Sequence, residues 1–195
     1  MGRRIQKVPV HLETKGISEL PFEEIKCILR GADEIIMRGG RSLLAKILKG
    51  SKDKKILERN LNKSPVYGYF SDLTIEKITA KIDWLILRGL LTIEYDYRLP
   101  LLVYTDKGWT IEMDTYSDEL LAGFDQLLES GADNYCMTYL KDCNRQMIFL
   151  LLDKVKVAGD PKYITILKSW EKIEYKKVRK KIRYVISELE RTSKK

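Results

Sequence analysis

The chain has 195 residues, with 36 Lys and Arg against 28 Asp and Glu and a single His, for a formal charge of +8. That length holds one domain or two small ones, and 44% apolar residues suffice for a real core. No apolar run approaches the ~20 residues of a membrane helix and no apolar stretch follows Met1-Gly2-Arg3-Arg4, so neither a membrane span nor an export signal is expected.

In residues 1–20, an N-terminal arm, only Val8, Val10 and Leu12 alternate, as in a short strand or extended segment. Leu20-Pro21 opens a first helix, because Pro suits the first turn and Glu23 and Glu24 favour the positive end of the dipole. Ile25, Ile28, Leu29, Ala32, Ile35 and Ile36 recur at helical spacing until Gly39-Gly40. A second helix spans about 42–48, with Leu43, Leu44, Ile47 and Leu48 inward, and Gly50-Ser51 breaks it. Ser51 is placed to cap a third helix whose first turn holds Lys52, Asp53, Lys54 and Lys55. A loop follows, carrying Tyr67, Tyr69 and Phe70. Thr74 caps a fourth helix with Ile75, Ile78, Ile82, Leu85 and Ile86 on its core face, and with Glu76, Lys77, Thr79, Ala80, Lys81 and Asp83 as its polar face. Residues 90–95 and 101–104 read as strands around a turn at 96–100. Three helices and a β-hairpin in about 70 residues follow the order of a winged helix.

From about residue 117 the pattern is helical to the end, with helices expected at 117–129, 134–140, 143–157, 161–171 and 174–190. Asp160-Pro161 is a strong helix start. Arg145, Ile148, Leu151, Leu152 and Val155 match Arg179, Ile182, Val185, Ile186 and Leu189 at an offset of 34. This is either a pair of stacked helical hairpins or a plain helical bundle. The expected fold is therefore mainly α with a small β-hairpin wing: a winged helix over 21–113, then an α-helical, helical-hairpin domain over 117–195.

The charge is not spread evenly. Residues 38–63 carry nine cations and two acids, and residues 168–195 carry eleven and four, while 106–167 are net acidic. A block of that density is the footprint of phosphate contact, or else a solvated helix face. At 38–63 the two readings meet on Ser51: it either binds a phosphate at a helix N-terminus, among Lys49, Lys52, Lys54 and Lys55, or merely caps its helix.

Residues 39–109 resemble the winged-helix RQC domain found at the C-terminal side of RecQ-family helicases. The resemblance rests on the run from Gly40 to Lys55 with its Leu48-Lys49-Gly50-Ser51 turn, on Tyr67-Gly68, on Trp84 to Leu91, and on Leu101 to Val103 leading into Thr105-Asp106-Lys107-Gly108. The chain also resembles a stand-alone bacterial group of RQC-like DNA-binding proteins, and its C-terminal helices resemble HEAT-type repeats faintly. No GxxxxGK[ST] loop is present, and Cys27, Cys136 and Cys143 are too few and wrongly spaced for the zinc module that precedes many RQC domains. The resemblance thus implies the DNA-binding part without the motor. It implies docking on duplex ends, forks or junctions through the Gly-Ser turn and the wing, with Arg41, Lys49, Ser51, Lys52, Lys54, Lys55, Tyr67, Tyr97, Arg98 and Leu99 as candidate contacts. Tyr95, Tyr97, Arg98 and Leu99 all compete for the role of tip residue.

No catalytic constellation, cofactor or small-molecule substrate is expected. One His argues against a histidine-based metal or triad site. The three Cys are expected as reduced thiols, with Cys136 and Cys143 buried on one helix face, and the location as cytoplasmic, nucleoid-associated if DNA-bound. The expected function is a non-enzymatic DNA-binding protein. The alternatives are a protein-interaction adaptor acting through the C-terminal helices and a transcription regulator, against which the nearly neutral fourth helix counts.

Overall fold

The computed structural model describes residues 6–131 and 135–192. The chain divides into two compact units, Met1–Glu112 and Met113–Lys195.

In the first unit, residues 6–21 form no helix or strand, so the alternation at Val8–Leu12 does not make a strand. Helix α1 (Phe22–Asp33) follows Pro21 and buries Cys27, Ile28, Leu29 and Ala32. Helix α2 (Arg41–Lys49) ends at Gly50, whose φ of 75° lets the N–H groups of Gly50 and Ser51 close on the carbonyls of Ile47 and Lys46, both at 2.9 Å. Helix α3 (Lys54–Glu58) is one turn long. Helix α4 (Ile75–Leu87) begins where Thr74 accepts from the N–H of Lys77. Ile28, Leu44, Ile47, Leu48, Ile56, Ile78, Ile82 and Leu85 meet in one core, each fully buried. Burying each such side chain contributes roughly 1.5–3 kcal/mol before entropy is counted.

Strands β1 (Leu91–Asp96) and β2 (Leu99–Tyr104) pair antiparallel, Leu91 opposite Tyr104 and Asp96 opposite Leu99. The other edge of β2 is occupied as well. Met37 donates to the carbonyl of Leu102 at 3.0 Å, and Leu102 donates to that of Gly39 at 2.9 Å. The approach is close: a Cβ on Gly40 would stand 2.7 Å from the Pro100 carbonyl oxygen. The wing is thus fastened to the turn that leads into α2.

Helix α5 (Asp106–Glu129) starts eleven residues earlier than the pattern at 117 suggests. Thr105 provides the start, its hydroxyl accepting from the N–H of Gly108 at 3.1 Å. Gly108 is needed there because a Cβ would stand 1.9 Å from the carbonyl oxygen of Leu90. The polar face expected of the fourth helix also needs correction, for Ala80 and Asp83 are each 2% exposed.

The second unit contains the rest of α5, a 3-10 turn (Thr138–Asp142), and helices α6 (Arg145–Ala158), α7 (Tyr163–Glu171) and α8 (Lys176–Thr192). The helix expected at 134–140 is not formed over its described part. Residues 135–137 are irregular, and residue 134 lies outside the described residues. Cys136 and Cys143 therefore share no helix face: Cys136 is exposed and Cys143 half-buried. The thiol of Cys136 is held below its ordinary range by hydrogen bonds from Thr138, whereas burial pushes Cys27 up to about 12. Phe124 and Trp170 meet edge to face at 5.9 Å between centroids. The four apolar positions of the 34-residue offset are buried in both α6 and α8.

Candidate nucleic-acid interface

Two glycines make the Gly-Ser turn. Gly68, at φ 76°, donates to the carbonyl of Ile47 at 3.0 Å, and Phe70 donates to that of Leu48 at 2.9 Å. The loop before α4 is thereby zipped to the end of α2, so closely that a Cβ on Gly50 would stand 3.0 Å from the Gly68 Cα. Tyr67 packs against the core and its hydroxyl donates to the Ser51 carbonyl at 2.9 Å. It is a brace for the turn, and Tyr69 is the exposed tyrosine of the pair. Lys49 donates from Nζ to the carbonyl of Ser71.

The cap of α3 is Asp53, two residues beyond the Ser51 expected from the sequence. Its carboxylate accepts from the N–H of Lys55 at 2.9 Å and from Lys46 Nζ at 2.6 Å, while Ser51 Oγ accepts from the N–H of Asp53 at 3.2 Å. The bond from Lys46, then that from Lys55, holds the Asp53 carboxyl below the usual carboxylate range. A carboxylate therefore already occupies the helix end at which a phosphate was expected. Phosphate affinity here has to come from the lysine side chains.

Arg41 serves the inside of the unit. Its guanidinium pairs with the buried carboxylate of Asp83 and donates to the carbonyl of His11 at 2.9 Å. The other Asp83 oxygen accepts from the N–H of Glu13 at 2.9 Å. One ion pair so ties α2, α4 and the N-terminal arm together. Arg98 holds the arm at the other end. Its Nε donates to the Gln6 carbonyl at 3.0 Å and its own carbonyl accepts from Val8 at 3.1 Å. Tyr95 donates to the Val8 carbonyl at 2.9 Å, under Lys7.

The remaining candidates are outward. Lys52, Lys54 and Lys55 are exposed, Lys54 with Glu58 at 3.6 Å. Tyr97 is 70% exposed at the two-residue tip of the wing, and Leu99 beside it is 60% exposed. Tyr97 has φ 54°, the left-handed region that non-glycine residues seldom adopt.

Beside the tip runs a groove of about 610 Å³, walled by Val8, Pro9, Leu43, Ile93, Leu99 and Pro100 among others. Arg38, Lys55 and Arg59 also line it and form no ion pair among the described residues, although Asp53, on the same wall, attracts the Lys55 charge. Arg38 and Arg59 lie within the basic block 38–63, where no motif in the sequence marks them out. They flank different helices, 21 residues apart, and only the fold brings them to one groove.

A family model described as the RQC domain matches residues 21–119. No curated protein and no solved structure gives a significant match to the chain. The match spans the helices, the Gly-Ser turn, the wing and the start of α5, and makes this part a RecQ-like, nucleic-acid-binding winged helix. The chain belongs to the RQC domain family.

Proposed function

We propose that the chain is a non-enzymatic DNA-binding protein whose winged helix engages duplex ends, forks or junctions. One observation carries the reading. Leu99 is at once part of the exposed wing tip and a wall of the groove that holds Arg38, Lys55 and Arg59, three cations in no ion pair among the described residues. An apolar tip with an aromatic ring can stack on a terminal base pair, and a cationic groove leading from it can follow the backbone of a strand that leaves the duplex. A tip of this kind gains nothing from the middle of a duplex, where every base pair is already stacked.

Lys52, outward in the same turn, adds a phosphate contact, and such contacts position the protein without reading sequence. The polar face of α4 is reduced by the burial of Asp83 and by the pairing of Lys81 with Glu24. Few groups remain there for major-groove reading, which favours structure recognition over sequence recognition. Binding of forked, blunt and covalently closed duplexes of one sequence tests the proposal. Preference for the fork or the blunt end at ~50 mM salt is expected. No affinity for any of the three would overturn the proposal and favour an adaptor acting through the C-terminal helices.

A further inference from the structure

The second unit carries its own cationic surface. A cleft of about 530 Å³ between α7 and α8 is lined by Lys168, Glu171, Lys172, Arg179 and Arg183. Lys168 and Lys172 stand four apart on or just beyond α7, and Arg179 and Arg183 stand four apart on α8. Like charges at that spacing repel, and here two such pairs face one space. The compensation within the cleft is slight. Glu171 is taken by Arg183 at 2.5 Å, and Lys168 reaches outside the cleft to Glu190 at 3.7 Å. Arg179 donates from one terminal nitrogen to the Glu174 carbonyl at 2.8 Å, but its buried Nε has no acceptor. Lys172 has no acidic partner among the described residues. The cleft is thus short of negative charge and has a donor without an acceptor.

The surface continues beyond the cleft. Lys176, Lys177 and Lys180 are exposed on the first turns of α8, again with no acidic partner among the described residues. Tyr175, in the turn between α7 and α8, is 70% exposed, with Lys141 Nζ 6.0 Å from its ring centroid. A track of cations with an exposed ring in it suits a nucleic-acid strand, whose phosphates meet the cations and whose bases stack on the ring. A bare anion or an acidic peptide would use the cations and leave Tyr175 without a role.

We propose that this face of α7 and α8 is a second nucleic-acid contact, taking the phosphate backbone of a single strand with a base stacked on Tyr175. It stands on residues of the second unit alone and does not depend on the winged helix.

The test uses the full chain and a single-stranded oligonucleotide, with affinity measured across a salt series. Changing Lys172, Lys176 and Lys180 together to Gln removes charge without breaking any ion pair among the described residues or lowering helix propensity. The slope of log affinity against log salt should fall by about 2, near 0.7 for each single-strand phosphate contact. Tyr175→Ala should weaken binding about tenfold with the slope unchanged. Unchanged slope in the first variant and unchanged affinity in the second overturn the proposal. The parallel variant Arg38→Gln, Lys55→Gln, Arg59→Gln reports on the winged helix separately. Loss in that variant alone removes this proposal, and loss in the α8 variant alone supports it while leaving the winged-helix reading to its own test on duplexes. Binding of a poly-glutamate peptide in place of the oligonucleotide, insensitive to Tyr175→Ala, would overturn the nucleic-acid assignment in favour of an acidic protein partner.

Discussion

The hydroxyl of Tyr67 donates to the carbonyl oxygen of Ser51 across 2.9 Å, joining two motifs that lie sixteen residues apart. The same junction holds Gly50 against Gly68, where neither residue can carry a side chain without strain: both have positive φ, and a Cβ on Gly50 meets the Gly68 Cα at 3.0 Å. Gly50-Ser51 and Tyr67-Gly68 are therefore one structural device. It fixes the path of residues 50–55, from which Lys52 and Lys55 project.

Tyr67→Phe keeps the ring and loses only this bond, and should lower the stability of the winged helix by about 1 kcal/mol. Gly50→Ala forces a side chain into the left-handed region and against Gly68, and should lower it by about 2 kcal/mol. Urea midpoints of the two variants check both values. A stable Gly50→Ala protein would mean that the two segments are not in contact.

Arg41→Ala leaves the Asp83 carboxylate buried without its cation. A loss of about 3 kcal/mol is expected, with Arg41→Lys recovering part of it. The salt slope of DNA binding by the folded protein should not change, since this guanidinium is spent on Asp83 and His11. A fall in slope of about one with little change in stability would instead make Arg41 a phosphate contact.

Asp53→Asn should tighten DNA binding. Asn caps a helix about as well as Asp, so α3 keeps its start. The substitution removes a negative charge from the groove and releases Lys46 from its 2.6 Å pair. The salt slope should steepen by about one. The wild-type protein should show the same gain as pH falls through the Asp53 pKa. That value lies below the usual carboxylate range, so the gain comes at lower pH than for an ordinary Asp. Weaker binding by Asp53→Asn would place the phosphates elsewhere.

Tyr97→Gly should separate stability from binding. Glycine accepts φ 54° without steric cost, so the hairpin should hold its stability or gain slightly. Affinity for blunt and forked ends should fall by roughly 1–2 kcal/mol through the lost stacking surface, with affinity for closed circular duplex unchanged. Equal losses on circles and ends would show that the ring does not stack on a terminal pair.

Helix positions and the wing were legible in the sequence wherever a cap and an apolar period agreed, as at Thr74 with Ile78, Ile82 and Leu85. They were illegible where a tertiary partner overrode local rules. Asp83 reads as a solvent-facing residue of α4 until Arg41, forty-two residues earlier, is found beside it. Ser51 and Asp53 are both good caps, and Lys46, one helix back, selects the second. The start of α5 is obscured because the helical pattern is plain only from about residue 117, while the structure uses Gly108, nine residues earlier, for close approach to Leu90. The basic block 38–63 was visible as composition. Its division into Arg41 and Lys46, which are held in ion pairs, and Arg38, Lys55 and Arg59, which form none among the described residues, needed the fold.

That division is the central claim, and one titration tests it most directly. Affinity for a forked oligonucleotide is measured from low to high salt for the wild-type protein and for Arg38→Gln, Lys55→Gln, Arg59→Gln together. The account predicts a slope smaller in magnitude by up to about 3 in the variant, with its melting temperature unchanged. An unchanged slope in a folded variant would contradict it.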